Sequence, residues 1–117
     1  MVELTDIEIE AANRQGRIEM AMKPRARSAR YDHAQDRLVL ELVNGSTFSF
    51  PPNLLQGFDR ATPDQIAEVE ILGQGFGLHW ESLDADFTVE GLMAGRFGTA
   101  RYMRERFGPE WDAVAAE

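Results

Sequence analysis

The sequence predicts a single α+β domain of 117 residues, in which an antiparallel β-sheet of about four to five strands is covered by N- and C-terminal helices. Short apolar runs bounded by turn residues follow one another between residues 27 and 80, as the strands of an antiparallel sheet do. Helix-capping sequences stand before and after that region. With 44% hydrophobic residues, the chain is long enough to bury one core.

The first element is a helix predicted over residues 6–22. The sequence TDIE at residues 5–8 fits a capping box, in which a hydroxyl and a carboxylate three residues later satisfy the first backbone amides. The apolar positions fall near one face of such a helix: Ile7, Ala11, Ile18 and Met22. Alternation within residues 18–22 leaves a short strand as the alternative, and Pro24 ends either element.

Three strands are predicted next, over residues 27–32, 37–43 and 46–50. The region between the first two is polar and typical of a turn. The proline pair after residue 50 stops the sheet, because proline cannot donate a hydrogen bond to the ladder.

The loop between the second and third strands decides which side chains share a face. A two-residue Asn-Gly turn would place the leucines of one strand and the phenylalanines of the other on opposite faces. A three-residue loop, Val43–Gly45, instead sets Leu40 opposite Phe48 and Leu38 opposite Phe50. Burial of a large apolar side chain is worth about 1.5–3 kcal/mol, so we predict the three-residue loop.

The second half of the chain is predicted to contain shorter elements joined by glycine-rich turns. In chain order they are a helical turn over residues 53–58, a short helix capped by Thr62, a strand beginning near Val69, a strand over residues 77–80, a helix capped by Asp86 or Thr88 and reaching Ala94, a last helix over residues 99–107, and a tail that adds one turn or frays.

The stretch LGQGFGLHWESLDADFTVEGLMAG at residues 72–95 resembles a small bacterial family known as domain-of-unknown-function family 2442. The segments NG…FSFP and ATPDQ resemble the same family, and the resemblance covers about residues 25–98 as a core. Residues 1–24 resemble an N-terminal helical extension, and residues 99–117 a C-terminal helix and tail, of a longer subgroup. The resemblance implies an α+β fold with an antiparallel sheet. Because some members are encoded beside putative toxins, it also implies an antitoxin-like or partner-binding role, and it carries over no catalytic residue.

Charge and composition exclude several classes of protein. The formal net charge of −8 argues against a general nucleic-acid binder, although residues 12–37 carry seven bases and three acids. That unevenness fits either simple solvated faces or a dipolar surface that orients a charged partner. The chain has no cysteine, no apolar run long enough to span a membrane, and an acidic start unlike a signal peptide. We therefore expect a cytoplasmic protein without membrane contact.

The polar cluster best suited to chemistry follows the sequence His79-Trp80-Glu81, and its candidate residues are His79, Asp84 and Asp86. A histidine beside carboxylates can bind a metal or act as a general base. The alternative, which we favour, is structural: Trp80 packs in the core, while the aspartates shape a turn and cap a helix. The glycine-rich loop of residues 73–77 lacks the Lys-Ser/Thr pair of a phosphate loop. No cofactor or metal is therefore predicted.

The C-terminal helix carries the candidate interface, which combines aromatic, methionine and arginine side chains, as interface cores do. Its residues are Arg101, Tyr102, Met103, Arg104, Phe107 and Trp111. We predict a non-catalytic protein-binding module, antitoxin-like or self-associating. One alternative is a nucleic-acid-binding regulator, because residues 86–107 loosely resemble a helix-turn-helix. The least favoured alternative is a small metal-dependent hydrolase built on the polar cluster.

Overall fold

A computed structural model of the chain describes residues 5–111, giving the backbone alone for residues 19–21. In that part of the chain, α-helices and β-strands follow one another in an α+β arrangement, so the predicted class is confirmed. In chain order the elements are α1 (Asp6–Met22), β1 (Ala26–Asp32), β2 (Arg37–Leu42), β3 (Thr47–Phe50), a 3-10 turn (Pro52–Leu54), α2 (Pro63–Ile66), β4 (Glu70–Leu72), a 3-10 turn (Gly73–Gly75), β5 (Gly77–Trp80), β6 (Ala85–Thr88), α3 (Val89–Met93) and α4 (Ala100–Phe107).

The strands form two antiparallel sheets of three strands each, β1–β2–β3 and β4–β5–β6, and not the predicted sheet of four to five strands. The chain leaves the first sheet at Pro51 and Pro52, which have no amide hydrogen to offer a ladder. It then runs through a 3-10 turn and α2 before β4 begins at Glu70, so β4 pairs with β5 and not with β3.

The predicted hairpin register is confirmed. Leu40 pairs with Phe48 and Leu38 with Phe50, so the leucines and phenylalanines share a face. The loop has three residues, since the amide of Leu42 donates to the carbonyl of Ser46 at 2.8 Å. Its last residue is a glycine with φ of 93°, a value that favours glycine. Leu38 and Leu40 are completely buried as a result.

One core lies between the two sheets. Trp80 on β5 is fully buried, and its Nε1 donates to the carbonyl oxygen of Ile66 at 3.0 Å. The ring of Phe58 meets Trp80 edge-on, with centroids 4.9 Å apart. The sheets touch where Gly75 passes β1, because a Cβ added there would lie 2.4 Å from the carbonyl oxygen of Ala26. The backbone of the turn between β4 and β5 therefore sits directly against β1 of the first sheet.

Strand β6 was missed in the sequence because its polar residues also suit a helix cap. Along β6 the partly buried Ala85 and Phe87 alternate with the exposed Asp86 and Thr88, which is the period of a strand with one face inward. Of the two predicted caps, Thr88 is the one used: its Oγ1 accepts the amide hydrogen of Gly91 at 3.0 Å and starts α3. Asp86 lies within β6.

Helix α1 forms where it is predicted, so the strand alternative at its end is wrong. The amide of Glu8 donates to Oγ1 of Thr5 at 3.1 Å, and the amide of Thr5 donates to Glu8 at 3.3 Å, as a capping box requires. The expectation that α1 covers the sheet is wrong, because all of its described side chains are exposed. The inner faces of both sheets are filled by other residues of the core, such as Leu55 and Phe58.

The C-terminal helix is confirmed, with Thr99 as its N-cap and Gly108 as its end. The predicted tail beyond Trp111 lies outside the described residues. In the part of the chain that the structure describes, no helix is both long enough and apolar enough to cross a bilayer.

Candidate functional site

Helix α4 is fixed to the domain by two side chains on one of its faces. The hydroxyl of Tyr102 donates to the carbonyl oxygen of Leu54, in the 3-10 turn after β3. The guanidinium of Arg106, one helical turn further on, donates to the Tyr102 hydroxyl at 2.6 Å and to the carbonyl oxygen of Asn53. These bonds tie α4 to a segment some fifty residues away, so its position relative to the core is set.

The connection from α3 to α4 is held against the same part of the chain. The side chain of Gln56 accepts the amide hydrogen of Thr99 at 2.9 Å, and its backbone amide donates to the carbonyl of Phe97 at 2.8 Å. The sulfur of Met103, which is buried, accepts the amide hydrogen of Phe97 at 3.3 Å. Both walls of the space between the connection and α4 are thus anchored.

That space is an open groove of about 910 Å³. Its lining consists mainly of apolar and small residues with one arginine: Ala94, Gly95, Arg96, Phe97, Gly98, Ala100, Met103, Phe107 and Trp111. Phe107 is 44% exposed, whereas the other six phenylalanines are buried or partly buried. Nε1 of Trp111 is shielded from solvent and has no acceptor among the described residues. We call this space, with these lining residues, the α4 groove.

The six predicted interface residues divide into three groups. Phe107, Trp111 and the buried Met103 line the α4 groove. Tyr102 faces the 3-10 turn after β3 and holds the helix in place. Arg101 and Arg104 lie on the exposed side.

Sequence reasoning missed the other wall of the groove, at residues 94–98. The available signal was an aromatic residue, Phe97, between Gly95 and Gly98. The anchoring role of Arg106 was not predicted either, although its four-residue spacing from Tyr102 shows that the two share a face.

The helix-turn-helix resemblance is weak at the level of structure. Helix α3 has five residues and α4 has eight. On α4, Arg101 is paired with Glu105 at 3.0 Å, and Arg106 is bonded to Tyr102 and Asn53. Two of the three arginines on this helix are thus engaged within the chain itself.

The polar cluster forms around His79, with Asp86 and Glu81 as its partners in place of Asp86 and Asp84. Nδ1 of His79 lies 2.7 Å from a carboxylate oxygen of Asp86, its cross-strand neighbour, and Nε2 lies 2.7 Å from Glu81. Asp84 instead shapes the turn, with φ of 47° and its amide donating to the carbonyl of Glu81. Glu81, two residues after His79 in the sequence, lies on the same face, since residues two apart in an extended chain share a face.

This arrangement makes His79 a cation. The hydrogen bond to Glu81 and then that to Asp86 raise the pKa of His79 to about 9, although partial burial opposes the shift. Near neutral pH both ring nitrogens carry a proton and each donates to a carboxylate. Such an imidazolium has no lone pair for a metal or for a general base. Among the described residues, no group of three or more potential ligands is placed to hold a metal ion.

The structure is a small two-sheet α+β domain. Its two three-stranded antiparallel sheets share one core, and its short C-terminal helix lies beside a groove. The chain belongs to the family described as "Protein of unknown function (DUF2442)", whose profile matches residues 26–98. The resemblance inferred from the sequence over residues 25–98 is therefore confirmed.

Two solved structures are similar to this chain. A protein of unknown function from Rhodospirillum rubrum is 57% identical, with a TM-score of 0.67, and the match covers 69% of this chain and 98% of that one. An uncharacterized protein from Chromobacterium violaceum, solved by NMR, is 31% identical, with a TM-score of 0.65 and coverage of 90% and 95%. No curated protein matches the chain.

Proposed function

We propose that the protein is a non-catalytic protein-binding module that docks an apolar, acidic segment of another protein in the α4 groove. The single observation that carries this proposal is the exposed Phe107 in a groove whose floor is apolar and whose walls are anchored. A rigid frame lowers the cost of binding, because few side chains have to be ordered when the partner arrives.

The residues that line the groove indicate which side chains the partner should present. An apolar side chain of the partner would cover Phe107 and the neighbouring Phe97, each Å² of apolar surface removed from water contributing about 25 cal/mol. The charged residue of the lining is Arg96, and Arg104 is exposed on the same helix as Phe107. A carboxylate on the partner would therefore be paired, whereas a lysine or arginine would be repelled.

An antitoxin-like regulator is the specific form of this function that we propose. The family resemblance implies toxins as partners for some members, and a docked antitoxin acts by covering a surface of its toxin. That role needs no reactive group, in keeping with the occupied nitrogens of His79.

Site-specific photo-crosslinking in the native host tests the proposal. A photoreactive phenylalanine analogue at position 107 should give a discrete adduct with one protein. The same analogue at Met93 is the matched control, because Met93 is 42% exposed, apolar, and located on α3 outside the groove lining. The crosslinked peptide should contain apolar and acidic residues, and Arg96→Glu should reduce the adduct. Equal adducts at both positions, no adduct at 107, or an adduct that nuclease removes would overturn the proposal.

A further inference from the structure

Helix α1 exposes the apolar face that its sequence predicts. Ile7 is 79% exposed, Ile18 48% and Met22 81%. The helix has 17 residues, and an isolated helix of about that length is marginal in water unless an apolar face is packed. The radius of gyration is 17.3 Å, whereas a compact chain of this length would have about 13 Å, as expected if α1 stands away from the sheets.

The charges of α1 are divided between its two halves. Residues 6–13 of the helix carry three acids and no base, whereas residues 14–22 carry two bases and one acid. Lys23, directly after the helix, pairs with Glu90 at 3.9 Å. Glu10 and Arg17 lie on the same flank of the helix, beside Arg14. The helix macrodipole explains acids in a first turn, but it does not explain an apolar stripe left in water beside them.

We propose that α1 is a self-association surface, on which α1 of a second copy of this chain packs antiparallel. The division of charge along α1 favours a second α1 helix as the partner and favours an antiparallel orientation of that helix. An antiparallel copy sets the acidic half of one helix against the basic half of the other, at both ends at once. A parallel copy would set acid against acid and base against base.

The apolar positions agree with the same arrangement. When two α1 helices pair so that opposed residue numbers sum to 29, Ile7 lies opposite Met22 of the second copy, and Ala11 lies opposite Ile18. Each apolar position of the stripe is then matched by another one across the two-fold axis, as an isologous interface requires. On the flank, Glu10 comes beside Arg17 of the second copy, twice in each dimer.

The pair is about 25 Å long, so the interface belongs to the small, concentration-dependent class. It leaves the α4 groove free, since no residue of α1 lines that groove. Self-association through α1 and partner binding in the groove are therefore independent and can fail separately.

Sedimentation equilibrium of the full chain over a wide concentration range tests the first part of the proposal. The protein should pass from monomer to dimer, and Ile18→Asp should remain monomeric. The matched control is Ile9→Asp, because Ile9 is 43% exposed on the opposite side of α1 and should leave the dimer unchanged. A wild-type chain that stays monomeric throughout, or a dimer that Ile18→Asp does not weaken, would overturn the proposal.

Charge exchange tests the antiparallel direction. Glu10→Arg and Arg17→Glu should each weaken the homodimer at least about tenfold, because each places like charges together twice. Mixed in equal amounts, the two variants should form a heterodimer that native mass spectrometry detects by its mass, since both flanks then regain opposite charges. Circular dichroism of each variant reports whether α1 itself has melted. Failure of the mixture to favour the heterodimer over both homodimers would overturn the antiparallel arrangement.

Discussion

Replacing Gly75 with alanine should test how closely the two sheets are joined. The new Cβ would lie 2.4 Å from the carbonyl oxygen of Ala26 and 3.2 Å from its amide nitrogen. Both are backbone atoms of β1, so no side-chain rotation relieves the contact and the strand itself has to move. Gly75 also has φ of 99°. The left-handed conformation costs a non-glycine residue about 1–2 kcal/mol, and overpacking adds about 1–3 kcal/mol, so the expected loss of unfolding free energy is about 2–5 kcal/mol.

Gly45→Ala is the matched control for that experiment. Gly45 has φ of 93°, but a Cβ there would meet nothing within 4 Å. Its expected cost is therefore the conformational part alone, about 1–2 kcal/mol. Urea unfolding followed by tryptophan fluorescence measures both variants, because Trp80 is buried in the shared core. Equal losses for the two variants would refute the inference that Gly75 marks the junction of the sheets.

Two further predictions concern the His79 cluster and the start of α4. Because the folded-state pKa of His79, about 9, lies above its ordinary value of 6.5, the stabilisation should be complete below about pH 6.5 and should be lost as the pH rises toward 9. The difference in unfolding free energy between wild type and His79→Gln should therefore shrink over that window, and a constant difference would contradict the charged state. Thr99→Ala removes the cap whose Oγ1 accepts the Tyr102 amide at 3.1 Å. Thermal or urea unfolding should show a loss of about 1 kcal/mol, whereas Ser82→Ala in an exposed turn should change stability by less than about 0.5 kcal/mol.

Local chemistry made part of the fold predictable. The parity of the leucines and phenylalanines fixed the register of the first hairpin, since only one loop length buries both sets. The capping box before α2 was equally clear, and Thr62 and Gln65 exchange the two expected hydrogen bonds. In both cases the decisive contacts lie within about a dozen residues.

Non-local choices could not be predicted in the same way. The division into two sheets depends on which strand pairs with β4. The three residues of β4 contain no pattern that indicates its pairing strand. The apolar stripe of α1 predicted that the helix packs, but a stripe does not name the surface it packs on. At the candidate site, the spacing within α4 singled out Phe107, whereas the opposite wall of the groove comes from the α3–α4 connection, which only the fold brings alongside.

The central claim is that the α4 groove docks another protein, and a calorimetric titration with the protein captured at position 107 tests it most directly. The account predicts that wild type binds and that Phe107→Asp weakens binding at least about tenfold, as loss of an interface hot spot does. Met93→Asp should bind like wild type. Wild-type affinity in Phe107→Asp, or an equal loss in Met93→Asp, would contradict the claim.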